Sequence, residues 1–267
     1  MIDAKVIEDS VAPHGVRLTT LQLRYPRFIH AELMTHRVFS RNASSSRAIP
    51  VKTILDQIMA APAEPVHWGK NQKGMQAREE LAQPEKVRVQ ALWREACIEA
   101  CRIAQQMADL GAHKQIVNRI TEPFAHISVV LTSTEWANWD ELRMHEDADP
   151  TIEALASAVY AARSRSAPLA LRDDEWHLPY VTREERALLD PDLAMKVSAA
   201  RCCRVSYLKH DGQKASVEEE LALCDRLAAA RPFHASPFEH QATPLLFEDQ
   251  WSGNFRGWLQ HRKLAGY

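Results

Sequence analysis

From Val16 to Tyr25 (VRLTTLQLRY) apolar and polar side chains alternate, the period of a strand with one face on a core. Pro26 suits a first helical position, and Phe28, Ile29, Leu33 and Met34 continue as an apolar helical run. That run delivers His36 and Arg37 at its far end. Val51, Ile54, Leu55 and Ile58 recur at helical spacing after Pro50. Ala60 to Gly74 is irregular, and a functional or mobile loop and a plain surface connection both fit it. The longest helical pattern is Pro84 to Leu110, whose stripe (Val87, Ala91, Trp93, Ala96, Cys97, Ala100, Cys101, Ala104, Met107, Ala108) suits a core or a subunit contact, with Gly111 as its stop.

A short helix over His113 to Arg119 and a buried strand over His126 to Leu131 (HISVVL) follow. Thr132 with Glu135 reads as a capping box opening a helix that holds Trp136, Asn138, Trp139 and Arg143. Asp149-Pro150 caps the next helix, Thr151 to Ala162, with Ile152, Leu155, Ala156 and Val159 on its apolar face. Ser164 to Pro179, rich in arginine, proline and aspartate, marks an internal break near 164–180 in what is otherwise one domain over 1–267. Beyond it, Asp190-Pro191 starts a helix running to Tyr207, Ser216 with Glu219 boxes another, and a tight turn from Phe233 to His240 leads into a strand-like Gln241 to Phe247.

A formal net charge of −2 argues against a general polyanion binder such as a DNA-binding protein, so any phosphate chemistry rests on local arginines. No stretch is long and apolar enough for a membrane span, and the amino terminus lacks a signal-peptide pattern, which together suggest a soluble, cytoplasmic protein. Five cysteines (Cys97, Cys101, Cys202, Cys203, Cys224), without a metal-type CxxC pair, read as buried thiols in a reducing compartment. Cys202 and Cys203, flanked by Arg201 and Arg204, are the pair that could form a thiolate nucleophile.

Charge and hydroxyls converge on Thr35 to Arg47 (THRVFSRNASSSR), which combines a His-Arg pair, four serines, an asparagine and two further arginines. Guanidinium forks and hydroxyls in one short segment suit a phosphate or an anionic ring. A solvated basic helix end, favoured by the helix dipole, has the same composition.

The segment resembles the signature of the flavin-dependent thymidylate synthases, an Arg-His-Arg triplet followed after seven residues by serine and, two further on, arginine. His36-Arg37, seven intervening residues, Ser45 and Arg47 match it, with Thr35 in place of the first arginine. Three further segments are similar to the same family. His113 to Pro123 maps Arg119 to a nucleotide contact, and Thr132 to Arg143 maps Asn138 to the flavin and Arg143 to the uracil. Ala199 to Tyr207 and His234 to His240 resemble the family's amino-terminal segment, so the order is that of a circularly permuted member. Glu32 stands where the family usually has glutamine, Ser44 replaces a longer polar residue, and Thr132 and Thr134 replace two flavin contacts.

The resemblance implies an α+β fold, an antiparallel or mixed sheet with long helices. It implies methylation of dUMP to dTMP, with FAD as cofactor, methylenetetrahydrofolate as carbon donor and NADPH as reductant, in a homotetramer. Ser44, Ser45, Ser46, Arg47, Arg119 and Arg143 then serve the nucleotide, with Arg143 stabilising charge on the ring as the catalytic group. Thr35, His36, Arg37, Asn138, His234 and Ser236 serve the flavin, and no metal, nucleic acid or membrane takes part. Two rivals stand beside this reading: a hydroxymethylated product or a binding protein without turnover on the same fold, and a metal hydrolase built on His234, Glu239 and His240, whose turn lacks the helical i, i+4 histidine pair.

Overall fold

The structure is a computed structural model and describes residues 1–205 and 213–264; Ser206 and Tyr207, the end of one helix read from the sequence, lie outside the described residues. In chain order the elements are β1 (Asp3–Val11), β2 (Arg17–Pro26), α1 (His30–Leu33), β3 (Ser40–Ala43), α2 (Val51–Ala60), α3 (Gln83–Asp109), α4 (Lys114–Val117), β4 (His126–Ser133), α5 (Ala137–Arg143), α6 (Pro150–Arg165) and β5 (Leu169–Ala170). They continue with α7 (Arg183–Leu188), α8 (Pro191–Arg204), α9 (Val217–Ala229), β6 (Ala242–Pro244), β7 (Trp251–Ser252), β8 (Phe255–Arg256), β9 (Trp258–Gln260) and α10 (His261–Leu264).

The main sheet has the order β3-β4-β2-β1-β5. Its first four strands pair antiparallel, and β5 joins β1 in parallel, so the sheet is mixed and the fold is α+β, as expected. Alternation decides the two faces. Leu21, Leu23 and Tyr25 of β2 and Ile127, Val129 and Leu131 of β4 bury against Trp139 and against Ile152, Leu155, Ala156 and Val159 of α6. Each such side chain removed from water contributes about 1.5–3 kcal/mol, which outweighs any one-residue slip in register. The intervening residues face the other way, where Val130 packs with Tyr180, Cys202 and Val205. α6 begins as the sequence indicates: Asp149 Oδ1 accepts from the Thr151 and Ile152 amides at 2.8 and 3.2 Å, and Pro150 occupies the first turn. The capping box at α9, Ser216 with Glu219, is complete.

Several local expectations give way. The helix expected to carry His36 and Arg37 is a single turn, α1, preceded by a 3-10 turn at Arg27–Ile29. His36 and Arg37 follow in turns, because the chain must reverse into β3. The serine-rich loop thus opens as a strand: Ser40 to Ala43 pair with Thr132 to Val129. Thr132 does not cap α5; it lies within β4, its hydroxyl bonded to Thr20 Oγ1 (2.7 Å) and His240 Nδ1 (2.8 Å), and α5 starts at Ala137 without a side-chain cap. Only Ala242–Pro244 of the expected last strand pairs, with β9.

In α3, Cys97, Cys101 and Ala104 bury against Ile54, Leu55 and Ile58 of α2, while Val87 is 60% exposed. Gly111 ends that helix at φ +85°, and the Ala112 amide reaches back to Met107 O at 3.0 Å. The region 164–180 packs on the sheet through β5 and through His177, whose ring joins Ser10 Oγ (2.9 Å) to Thr20 Oγ1 (2.7 Å).

Candidate functional site

The polar positions of β2 and β4 place Gln22, Arg24, His126 and Ser128 on the face away from α6. There they floor a cavity of ≈460 Å³ closed by α2, by the turn after α4 and by the end of α8 with Arg204. The serine segment is fastened to its wall. Ser44 exchanges backbone and side-chain bonds with Ser128 (Ser44 amide to Ser128 O, 2.8 Å; Ser128 amide to Ser44 Oγ, 3.1 Å). Ser46 Oγ donates to Glu122 Oε1 at 2.9 Å, and Asn118 Nδ2 donates to Ser46 O at 2.7 Å and to Ile49 O at 3.1 Å.

Among the described residues, three guanidiniums and one carboxylate line this cavity: Arg24, Arg27, Arg204 and Glu122. Arg27 pairs with Glu122 at 3.1 Å, and Arg204 pairs with Glu220 of α9. Arg24 has no hydrogen-bond or ion-pair partner among the described residues. His126 is held neutral, its pKa pushed down to about 4 by burial first, then by the N-terminal ammonium and by Arg24. The balance of charge suits an anion of phosphate size.

A second cavity, ≈670 Å³, lies on the α6 side of the sheet and is lined by Glu32, Arg143, the arm from His67 to Arg78 and the start of α6. Here the structure brings Thr35, His36 and Arg143 together. Arg143 Nε donates to His36 Nε2 (3.0 Å), Nη1 to Glu32 Oε2 (3.1 Å) and Nη2 to Thr35 Oγ1 (3.1 Å). His36 stacks on Phe39 and meets the edge of Trp139. Burial first, then Arg143 and Arg41, push its pKa down, and the bond from Arg143 Nε places its proton on Nδ1. Burial first, then Asp149, push Glu32 up against the opposing pull of Arg143. Four carboxylates (Glu32, Glu146, Asp147, Asp149) face two guanidiniums (Arg78, Arg143) around this space, a balance that disfavours a phosphate.

The residues expected at one nucleotide site are thus divided between opposite faces of the sheet, Ser44 and Ser46 on one and Arg143 on the other. Ser45, Arg47 and Arg119 are exposed and line neither cavity; Arg119 pairs with Glu122 at 3.2 Å. Of the flavin candidates, Arg37, Asn138 and His234 are exposed, and Ser236 Oγ donates to Asn42 Oδ1 at 2.8 Å, which sets the Ser236 turn against β3. None of Thr35, His36, Arg37, Asn138, His234 and Ser236 lines either cavity. His234 is exposed, Glu239 pairs with Arg262 and His240 is fully buried on Thr132, so these three do not form a ligand set for a metal.

Arg24, Arg27, Asn118 and Arg204 escape a reading based on motifs. A signal for Arg24 does exist: with Gln22 it occupies the polar phase of a strand whose opposite phase from Leu21 to Tyr25 is apolar. It becomes informative only once α2 and α8 are known to cover that phase.

No family model and no curated protein matches the chain. Among solved structures, the UMP/dUMP methylase PolB of Streptomyces cacaoi bound with 5-Br UMP is similar, with 17% identity, coverage of 64% of this chain and 90% of that one, and a TM-score of 0.52. PolB bound with 5-Br dUMP matches at 15% identity, 64% and 91% coverage and a TM-score of 0.49. At this identity the first likeness is one of fold: over 64% of its length the chain is built like that methylase.

Proposed function

We propose that the chain binds a pyrimidine nucleoside 5′-monophosphate in the ≈460 Å³ cavity and modifies its base, dUMP to dTMP being the reaction that the signature residues favour. The observation that carries this reading is the fastening of Ser44 and Ser46 beside Arg24, Arg27 and Arg204 around one cavity. Arg24, with no protein partner among the described residues, is the residue assigned to the phosphate. Arg27, oriented by Glu122, and the Ser44 and Ser46 hydroxyls complete the polar lining. The fold shared with a UMP/dUMP methylase supports the substrate class.

Methylation at carbon 5 of uracil places negative charge on the ring, and a guanidinium held beside it lowers the barrier. Within one chain that guanidinium comes from the cavity itself, since Arg143 stands across the sheet. FAD, NADPH and methylenetetrahydrofolate are assigned to the reduction and the carbon unit on the resemblance alone. The flavin candidates line neither of the two cavities described above, so neither cavity by itself fits a flavin held by those residues. Arg37, Asn138 and His234 would meet the flavin where another copy covers them. Assembly into a homotetramer belongs to the same proposal, with the exposed Val87, Leu92 and Ile98 of α3 as the meeting surface.

Isothermal titration with dUMP tests the binding step. Arg24→Ala should weaken dUMP at least tenfold, about 1.4 kcal/mol, with an unchanged melting temperature. Equal affinity in the variant would remove the cavity from nucleotide binding. Mass analysis of dUMP after incubation with methylenetetrahydrofolate, NADPH and FAD separates a methylated from a hydroxymethylated product, and an unaltered nucleotide would leave binding without turnover.

A further inference from the structure

Asn118 is 2% exposed, lines the nucleotide cavity, and keeps one polar atom without a partner: among the described residues its Oδ1 accepts no hydrogen bond. Its other polar atom is fully committed, because Nδ2 donates to Ser46 O and Ile49 O. Those two bonds fix the amide. Rotating it by half a turn would set Oδ1 against two carbonyl oxygens and lose both bonds, so the side chain can offer the cavity an acceptor and never a donor.

The surroundings hold this orientation from several sides. Thr121 Oγ1 donates to Asn118 O at 3.0 Å, which secures the backbone at that point, and Ser46, one of the two anchors, is itself tied to Glu122. An acceptor buried without a partner is costly, and a ligand N–H placed against it removes that cost. The guanidiniums of the cavity are donors and cannot satisfy a ligand N–H.

We infer that Asn118 Oδ1 reads the base, selecting a 4-oxo pyrimidine over a 4-amino pyrimidine. Uracil carries an N–H at ring position 3 and pairs with the fixed acceptor. Cytosine carries a bare nitrogen there, so its lone pair meets the Oδ1 lone pairs and both stay unpaired. Asn118 is thus a specificity-determining residue, and it acts through an atom that no other described residue engages. The inference rests on the nucleotide reading given above, for that reading places the base in this cavity.

The test uses the wild-type chain, so it does not depend on a variant that folds. Titration calorimetry compares dUMP, dCMP, the N3-methyl derivative of dUMP, and 2-deoxyribose 5-phosphate. The expected result is that dUMP binds at least tenfold tighter than dCMP and than its N3-methyl derivative, and that the sugar phosphate binds measurably by itself. If the sugar phosphate binds and the three nucleotides have equal affinity, Asn118 does not read the base and the inference fails alone. If neither the sugar phosphate nor any nucleotide binds, the nucleotide reading fails and the inference with it. Asn118→Ala, checked for folding by its melting curve, should bring dUMP and dCMP within threefold of each other, and retained discrimination in that folded variant would overturn the assignment.

Discussion

Replacing Thr132 with valine should unfold this protein more easily than any surface change, for reasons written in a buried chain of hydrogen bonds. Ser10 Oγ, the His177 ring, Thr20 Oγ1, Thr132 Oγ1 and His240 Nδ1 follow one another at 2.9, 2.7, 2.7 and 2.8 Å, and every member is fully buried. Valine keeps the β-branched shape that suits β4 but ends the chain in its middle. Thr20 retains His177 as a partner. His240 does not fare as well: among the described residues its Nε2 already lacks a partner, and the change orphans Nδ1 too. An orphaned buried nitrogen costs roughly 1–3 kcal/mol, and the lost Thr20–Thr132 bond adds about 1 kcal/mol. The expected loss is therefore roughly 2–4 kcal/mol, which for a chain of this size lowers the melting temperature by roughly 5–15 °C. Equilibrium urea unfolding followed by tryptophan fluorescence measures it. A loss below about 0.5 kcal/mol, the ordinary effect of a neutral surface substitution, would refute the view that this chain of bonds holds the sheet to the His240 turn.

Acid should act on the same chain of bonds. Burial pushes His240 down to about 3, so between its unfolded value of 6.5 and about 3 the unfolded state binds a proton that the folded state refuses. Stability from this group is complete above pH 6.5 and falls by about 1.4 kcal/mol per pH unit below it; His240→Asn, whose amide can replace Nδ1, should flatten the dependence of unfolding free energy on pH between 6.5 and 4 by one proton, and an unchanged slope would contradict the assignment. Covalent thiol catalysis is not expected: burial pushes Cys202 above the range of a reactive thiol, Cys97 and Cys224 up to about 11, and Cys203 upward despite Arg204 and Arg226. Iodoacetamide near neutral pH should label at most Cys203 in the folded chain and all five cysteines after denaturation, as read by mass spectrometry, and rapid labelling of folded Cys202 would reverse that conclusion.

Elements whose signals are local can be read from the amino-acid order. Asp149-Pro150 specified the start of α6, Ser216 with Glu219 that of α9, Gly111 the end of α3, and the alternation in Val16 to Tyr25 a strand, whose apolar face from Leu21 to Tyr25 lies on the core. In each the physical cause lies within a turn or two of chain: a carboxylate or hydroxyl over free amides, a residue tolerant of positive φ, a side-chain period of two. Thr132 shows where local signals stop. Its spacing to Glu135 suits a cap, yet pairing with Thr20 and contact with His240, both more than a hundred residues away, draw it into the sheet. Ser40 to Ala43 became a strand for the same reason, since β4 offered an unpaired edge.

The candidate site divides along the same line. Ser44, Ser46 and Arg143 could be named from the sequence, but the face of the sheet each serves could not, because it depends on which strands pair and which helices cover them. Arg24 is an ordinary polar residue until α2 and α8 close over it. Asn118 is an ordinary helix-end amide until Ser46 O and Ile49 O capture its Nδ2 and strand its Oδ1, because only the folded chain can leave a polar atom both buried and unpaired.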